Sequence, residues 1–352
     1  MNTQFLQNIF KKSDSFFQNI GLDLGTTKIS VYVKGKGIVL KEPAVVALNT
    51  KTDQIIAIGK EAEAMLGKTP SHISAIKPIV NGVISDFEVT EKLLRFLFQK
   101  IKEKNIFLGP KVIVGVNSLG TEVERKAVED AVRNAGAKEV YLIEKALATA
   151  IGAGLLLNEA KGNLIVDIGG GITEVSIVSL GGIVVTKNIR IAGNKLNDDI
   201  IYFVRNKFKL AIGEQTAEKI KITIGSALER NTDETMTIRG RDLAKGLPKE
   251  VKVTESEIRE AMSESLQTIV QIIKDTLEIA PPELIADIIE KGILLTGGTS
   301  LLKDMDTLIE KATGLKVNIS DDPVNSVVKG EGIILENFEA MKPYLLTLKT
   351  TL

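Results

Sequence analysis

Two stretches decide the fold: "NIGLDLGTTKISVYVKGKGIVL" (19–40) and "NLIVDIGGGITEVSIVSLGGIVV" (163–185). Each opens with the apolar run of a buried strand, reaches Asp-x-Gly (Asp23 to Gly25, Asp167 to Gly169), and bends through a short turn. Each continues as a second strand. Ile29, Val31 and Val33 alternate strictly, while Val175, Ile177 and Leu180 do so less strictly. A second glycine turn follows (Gly35 and Gly37; Gly181 and Gly182), then a third strand. Strands joined by glycine turns read as hairpins, so each stretch predicts a three-stranded meander. Helical patterns lie between and after them, at 88–103, 122–135, 145–157, 196–208 and 255–279. Two meanders, each followed by helices, predict two similar α/β domains. The repeat distance far exceeds any solenoid period, so the pattern is domain duplication rather than an array.

The turns themselves point to a phosphate. A dinucleotide fingerprint turns from strand into helix, whereas these turn from strand into strand, and no GxxxxGK[ST] is present. What they can do is present backbone N–H groups to an anion, from Gly25, Thr26 and Thr27 and from Gly169, Gly170 and Gly171. Asp23 and Asp167 are excluded as phosphate ligands by their charge and suit Mg²⁺ through its water shell. A third glycine site is "GILLTGGTSLLKDMDTLI" (292–309). A strand there runs into Thr296-Gly297-Gly298-Thr299, and a helix is expected from about Ser300. Such a helix N-terminus fits a nucleotide's phosphate or sugar-base region; on its own it reads equally well as a plain strand–helix turn.

Composition removes several classes. The chain has 352 residues, 44% apolar, with 45 basic and 45 acidic side chains. That balance argues against nucleic acid as a partner, which calls for a basic surplus. The chain has no cysteine and a single histidine, His72 in the loop-like "KTPSHIS". Disulfides, thiolate metal sites and cysteine nucleophiles are therefore out, and a Ser-His-Asp triad has only His72 to draw on. No apolar run reaches the ~18 residues of a membrane span, and the start lacks a signal-peptide core. The expected location is cytoplasmic.

Six segments together carry a resemblance: "GLDLGTTKISVYVKGKGIVLKEPAVVAL", "NGVISDFEVTEKLLRF", "VDIGGGITEVSIVSLGGIVV", "GEQTAEKIKITIGSA", "RGRDLAKGLP" and "LLTGGTSLL". From about Gly21 to about Asn337 the chain resembles the actin/Hsp70/sugar-kinase superfamily, and within it the MreB family of bacterial actins. The resemblance implies an α/β, actin-like fold of two duplicated domains around a nucleotide cleft. It implies an extension at 1–20, and domain I at 21–151, with its core at 21–33 and 82–151 and a small subdomain at about 34–81. Domain II would span 152–322, with a small subdomain at about 197–250, and 323–352 would return to domain I. It also implies ATP or ADP with Mg²⁺. Gly25, Thr26, Thr27 and Lys28 would hold phosphates from one side and Gly169, Gly170 and Gly171 from the other. Asp23 and Asp167 would stand by the metal. Glu218 and Lys221 would approach ribose and base, and Gly297, Gly298 and Thr299 the α-phosphate and adenosine. Read from the residues alone, Glu218 and Lys221 equally make a solvated i,i+3 helix pair.

Two departures bear on catalysis. The family usually has Glu-Glu-Pro where this chain has Glu144-Lys145-Ala146, within "LIEKALATAIGAG" (142–154). The second glutamate of that motif helps to activate the attacking water. The family's "GGGTTE" is here "GGGITE", so Ile172 replaces a threonine hydroxyl. A charged lysine has three donors and no acceptor, and it faces the positive end of the helix dipole. Either Lys145 sits in solvent at a helix end, or it reaches into the cleft and pairs with phosphate, favouring bound ATP without favouring its hydrolysis. Loss of a positioned base costs roughly 10²–10⁴ in rate. Glu144 is about 100° away around the helix and is not expected to substitute. Thr299 stands where the family often has glycine.

The first twenty residues place Phe5, Leu6, Ile9 and Phe10, with Phe16 and Phe17, on one helical face about 140° wide. Ile106, Phe107 and Leu108 form an apolar loop tip flanked by lysines. Both suit an anionic membrane surface, at the inner face of the cell membrane; packing into the protein body is the alternative for each. The resemblance further implies self-assembly into antiparallel double filaments, paralogous partners of the Spiroplasma type, and a role in cell shape or helicity. Two other classes compete. A sugar- or acetate-kinase-like phosphotransferase would need a catalytic carboxylate beyond Asp23, Asp86 and Asp167. A chaperone would need a peptide-binding domain, for which no segment is read.

Overall fold

Both quoted stretches form meanders in the computed structural model, and the rest of the chain is arranged around them. The structure describes residues 18–102 and 109–346. Phe5, Leu6, Ile9, Phe10, Ile106, Phe107 and Leu108, read above as membrane-facing, lie outside the described residues. The chain divides into two units, one running to Leu157 and resuming at Asn325, the other spanning Asn158–Val324.

In the first unit the meander is β1 (Asn19–Leu24), β2 (Lys28–Val33) and β3 (Gly37–Pro43). Short strands follow: β4 (Val46–Asn49), β5 (Ile55–Ile58), β6 (Ile73–Ile76), β7 (Ile79–Val80) and β8 (Val83–Ile84). Then come β9 (Lys111–Val116) and β10 (Glu139–Glu144). The main sheet has the order β10-β9-β1-β2-β3. The meander pairs are antiparallel and the β1–β9 and β9–β10 pairs parallel. Leu22, Ile29, Val31, Val112 and Val114 enter its core with Leu93, Leu94 and Leu97 of the helix Phe87–Ile101. That helix is capped by Asp86, which accepts the Val89 N–H and so satisfies one of the orphan donors of the first turn. A smaller sheet, β5-β4-β6, packs Ala47 and Ala57 on Ala62 of the helix Lys60–Met65.

The helix Ser326–Glu336 belongs to this unit and lies against the helix Lys145–Gly152 at backbone contact. A Cβ on Gly152 would stand 1.9 Å from the Ser326 carbonyl oxygen, and one on Gly330 1.8 Å from that of Ala148. Neither position admits any side chain without parting the helices.

The second unit repeats the plan. Its strands are β11 (Asn163–Ile168), β12 (Thr173–Ser179), β13 (Gly182–Ile189), β14 (Leu210–Ala211), β15 (Thr235–Asp242), β16 (Pro248–Thr254), β17 (Ile293–Thr296) and β18 (Val317–Ile319). The sheet order is β13-β12-β11-β17-β18, again with an antiparallel meander and two parallel neighbours. The helix Glu255–Glu278 opens with a capping box between Thr254 and Glu257 and buries Ile258, Met262, Leu266 and Ile269.

Three details differ from the sequence reading. The helix expected over 145–157 ends at Gly152, because Ala153 caps it and Gly154 turns left-handed at φ 80°. Leu180 is no strand residue: it takes φ 50° in the turn and is 68% exposed. No α-helix starts near Ser300. Gly298–Leu301 is a single 3₁₀ turn, Leu302 is extended and Asp304 left-handed, so the α-helix begins only at Met305. Among the described residues no helix is long and apolar enough to cross a membrane.

Candidate functional site

The first unit's turn is closed by the Gly25 N–H, which donates to the Lys28 carbonyl at 3.1 Å. A Cβ on Gly25 would lie 2.5 Å from that same oxygen, so the turn requires glycine. Thr26 is buried, and its Oγ1 accepts the Gly82 N–H at 2.9 Å. Thr27 is exposed, and its carbonyl accepts the Ala44 N–H. Lys28 Nζ donates to Asn325 Oδ1 at 3.2 Å. Thr26 therefore anchors the turn, and Thr27 is its open member.

Lys145 is the first residue of its helix and comes to Asp23. Its ammonium donates to Asp23 Oδ1 at 2.8 Å and to the Leu24 carbonyl at 2.9 Å. The two side chains are 16% and 15% exposed. A carboxylate beside the ammonium offsets the unfavourable dipole position. Neither of the two sequence readings, head in solvent or head on phosphate, names this partner. Glu144, the N-cap, faces Arg125 at 3.7 Å instead. Burial pushes its carboxyl above the usual range, opposed in part by the Arg125 charge.

A third ionisable group lies beneath this pair, one the sequence reading missed. Glu331, on the helix Ser326–Glu336, is fully buried. The last β1–β9 pair is Leu22 with Val114. Beyond it the Gly115 N–H finds its acceptor in Glu331 Oε1 at 2.8 Å. Two glycines make room for the side chain. A Cβ on Gly21 would be 2.9 Å from Glu331 Cβ, and one on Gly115 2.9 Å from Oε1 and 3.1 Å from Lys145 Cγ. Oε2 has no hydrogen-bond partner. Burial, and then the charge of Asp23, push this carboxyl well above the usual carboxylate range, against the pull of Lys145 and of the Gly115 N–H. "SVVKGEGIILE" gives one sequence signal, an acid between two glycines in a mainly apolar helix.

The second unit's turn has the same closure: the Gly169 N–H donates to the Ile172 carbonyl at 3.0 Å. Lys28 of one turn thus corresponds to Ile172 of the other. The Gly169 carbonyl accepts both the Gly193 N–H at 3.1 Å and Thr299 Oγ1 at 2.7 Å. The Gly170 carbonyl accepts the Asn194 N–H at 2.7 Å. Gly171 is buried, Gly169 and Gly170 half-buried. Gly297 has φ 85°, and a Cβ there would stand 2.4 Å from Asp167 Oδ1 and 2.3 Å from the Ile168 carbonyl oxygen. Only glycine lets this loop pass Asp167.

Glu218 and Lys221 join the same cluster. Lys221 Nζ donates to the Gly193 carbonyl at 2.8 Å and to Glu218 Oε2 at 2.9 Å, and Asn197 donates to the same Oε2 at 2.6 Å. The Lys221 side chain is 8% exposed and that of Glu218 44%, so the lysine end of the pair is buried and the glutamate end open. Burial pushes its ammonium below the usual lysine range, and Glu218 opposes this. The second unit therefore gathers Gly169, Gly170, Glu218, Lys221 and Thr299, and adds Gly193, Asn194 and Asn197, which the sequence reading did not single out. Gly298 opens the 3₁₀ turn with nothing within 4 Å of its Cβ position.

Two sheets of identical strand order, each with an antiparallel meander closed by an Asp-x-Gly turn, define an actin-like α/β protein. Comparison with known proteins gives the family. The MreB/Mbl protein family matches residues 17–343, and the chain belongs to it. It is 43% identical over 326 residues to the cell shape-determining protein Mbl of Bacillus cereus, covering 93% of this chain and 98% of that one. It is 44% identical over 335 residues to the cell shape-determining protein MreB of Escherichia coli, covering 93% and 96%. Among solved structures, MreB5 of Spiroplasma citri bound to AMPPNP superposes with TM-score 0.89 at 38% identity, over 93% of this chain and 98% of the other. The same protein has been solved bound to ADP. The MamK double helical filament shares the fold, with TM-score 0.76 at 19% identity over 90% and 98%.

Proposed function

We propose that this chain is an actin-like cytoskeletal protein that binds an adenine nucleotide, self-associates into filaments at the membrane and hydrolyses its nucleotide very slowly. The observation that carries the reading is the repeated Asp-x-Gly turn, closed identically at Gly25 and Gly169. The Gly25 and Gly169 N–H groups are spent on these closures, contrary to the sequence expectation, so the later N–H groups of each turn would meet the anion. The nucleotide-bound state of Spiroplasma citri MreB5 supports adenine nucleotide as the ligand. Thr27, Lys28, Gly169 and Gly170 would meet phosphates, with Thr26 and Gly171 shaping the turns. Glu218, Lys221, Gly297, Gly298 and Thr299 would meet the nucleoside side. Mg²⁺ would supply charge neutralisation at the phosphates, and Asp167 would orient its water shell.

Slow hydrolysis follows from two side chains. The Lys145 ammonium is bound to Asp23 and the Leu24 carbonyl, so it offers an attacking water no acceptor. Ile172 has no hydroxyl to hold that water. Glu144, facing Arg125, is turned to another partner. The double substitution Lys145→Glu with Ile172→Thr is expected to raise phosphate release roughly 10²-fold or more. An unchanged rate in a protein that still binds nucleotide would reject the assignment. A sugar- or acetate-kinase reading gains no observation here.

Membrane attachment rests on Phe5, Leu6, Ile9 and Phe10 and on Ile106, Phe107 and Leu108. Chain lacking residues 1–20 is expected to sediment less with anionic vesicles than the full chain. Equal sedimentation, also after Phe107→Ser, would remove the membrane from the proposal.

A further inference from the structure

We infer that Lys145 occupies Asp23 as a tethered cation, so that the first unit offers no open carboxylate to a divalent metal and nucleotide binding depends on Mg²⁺ much less than it would with Asp23 released. The inference rests on the nucleotide-binding reading and departs from it at the metal.

Three observations carry it. A carboxylate that orients a Mg²⁺ water shell needs its oxygens turned to water and its charge uncompensated. Asp23 falls short on both counts: Oδ1 is held by the Lys145 ammonium at 2.8 Å, which compensates its charge, and the pair is about 85% shielded from solvent. The ammonium is also fixed from behind, because it donates to the Leu24 carbonyl and its stem runs against Gly115, where a Cβ would come within 3.1 Å of Lys145 Cγ. Moving it off Asp23 breaks two charge-assisted hydrogen bonds at once. Third, the other acid in the cluster does not restore a metal-binding charge. Glu331 is fully buried and turned to the Gly115 N–H. Among the described residues no group of three or more His, Cys, Asp or Glu side chains is placed to hold a metal ion. A dication brought to Asp23 would meet a neutral ion pair with a cation facing it. The residues of the first unit therefore do not fit the metal that the fold family implies. They fit a closed ion pair beside the Gly25 turn, in which Asp23 is engaged by Lys145 rather than open to a bridging ion.

The test is the affinity of a non-hydrolysable ATP analogue, measured by calorimetry on the full chain in millimolar Mg²⁺ and in excess EDTA. For the natural sequence the dissociation constant is expected to change by less than about threefold. Lys145→Met keeps the apolar stem and removes the ammonium, freeing Asp23. Its affinity is expected to fall by at least about tenfold on adding EDTA. Lys145→Gln serves the same purpose if the methionine variant does not fold. A natural chain that loses tenfold or more in EDTA overturns the inference and leaves nucleotide binding standing, as does a variant no more metal-dependent than the natural chain. Failure of every form to bind with or without Mg²⁺ overturns the nucleotide reading and this inference together.

Discussion

The two glycine turns share one backbone and differ in what surrounds it. Gly25 and Gly169 make the same four-residue closure, at 3.1 and 3.0 Å, at the end of the central strand of sheets with the same order. Around the second turn the partners are polar and neutral at the contact: the Gly193 and Asn194 amides and the Thr299 hydroxyl. Around the first lies a cluster of ionisable groups: Asp23 and Lys145, with Glu331 buried below. A duplicated backbone therefore preserves the anion-binding geometry, while side chains from other elements set each turn's electrostatics. Asp23 belongs to the meander, while Lys145 and Glu331 arrive on helices outside it. This is how one half of a duplicated site can change its chemistry while the loop stays intact.

The largest effect in this comparison is expected at Glu331. Glu331→Ala removes the acceptor of the buried Gly115 N–H and leaves a cavity between Gly21 and Gly115, costing about 2–3 kcal/mol in urea unfolding. Glu331→Gln keeps an acceptor oxygen and the volume, and is expected to cost less than about 1 kcal/mol at acid pH. The two variants also separate by pH. The folded protein holds the Glu331 proton well above the ordinary value of 4.5. Below that value both folded and unfolded chains are protonated, and the contribution is fully present. As pH rises the unfolded chain loses its proton first, so folding stability falls, by up to about 1.4 kcal/mol per pH unit, until the folded carboxyl ionises. The natural chain minus Glu331→Gln difference should show that decline as pH rises above 4.5. A flat difference would mean that Glu331 is ionised, and the first turn would then carry a net negative charge.

The duplicated meander was legible because it is local. Alternation in Ile29, Val31 and Val33 and the Asp-x-Gly turns depend on residues a few positions apart, and the structure keeps them. Lys145 could be flagged because its residue type conflicts with its place on a helix. Its partner could not be read, since Asp23 lies 122 positions away, and choosing among solvent, phosphate and carboxylate needs the sheet order that sets β9 between β1 and β10. Glu331 was missed for a related reason. The glycines that admit it, Gly21 and Gly115, are on strands, and the helix contact that delivers it runs through Gly152 and Gly330. The expected helix at Ser300 failed because strand-glycine-helix spacing cannot distinguish one 3₁₀ turn from the start of an α-helix when Leu302 and Asp304 leave helical space.

The smallest expected effect tests the second turn. Thr299 is buried and holds the Gly169 carbonyl, which also keeps its bond from the Gly193 N–H. Losing one of two donors leaves the carbonyl satisfied, so Thr299→Val is expected to cost only about 1 kcal/mol, and Thr299→Ser about half of that or less. The residue has a second consequence that a cycle can isolate. A Cβ on Gly193 would stand 2.6 Å from Thr299 Oγ1 and 3.3 Å from Lys221 Nζ. Gly193→Ala should therefore be more harmful in the natural chain than in a Thr299→Gly background, where the nearer obstacle is gone. The expected coupling is roughly 0.5–3 kcal/mol, the range for residues in contact. Strict additivity would mean that Thr299 does not brace the Gly169 turn against the helix Gly193–Phe208. The second turn would then be held by backbone amides alone, and its contrast with the first would extend to rigidity.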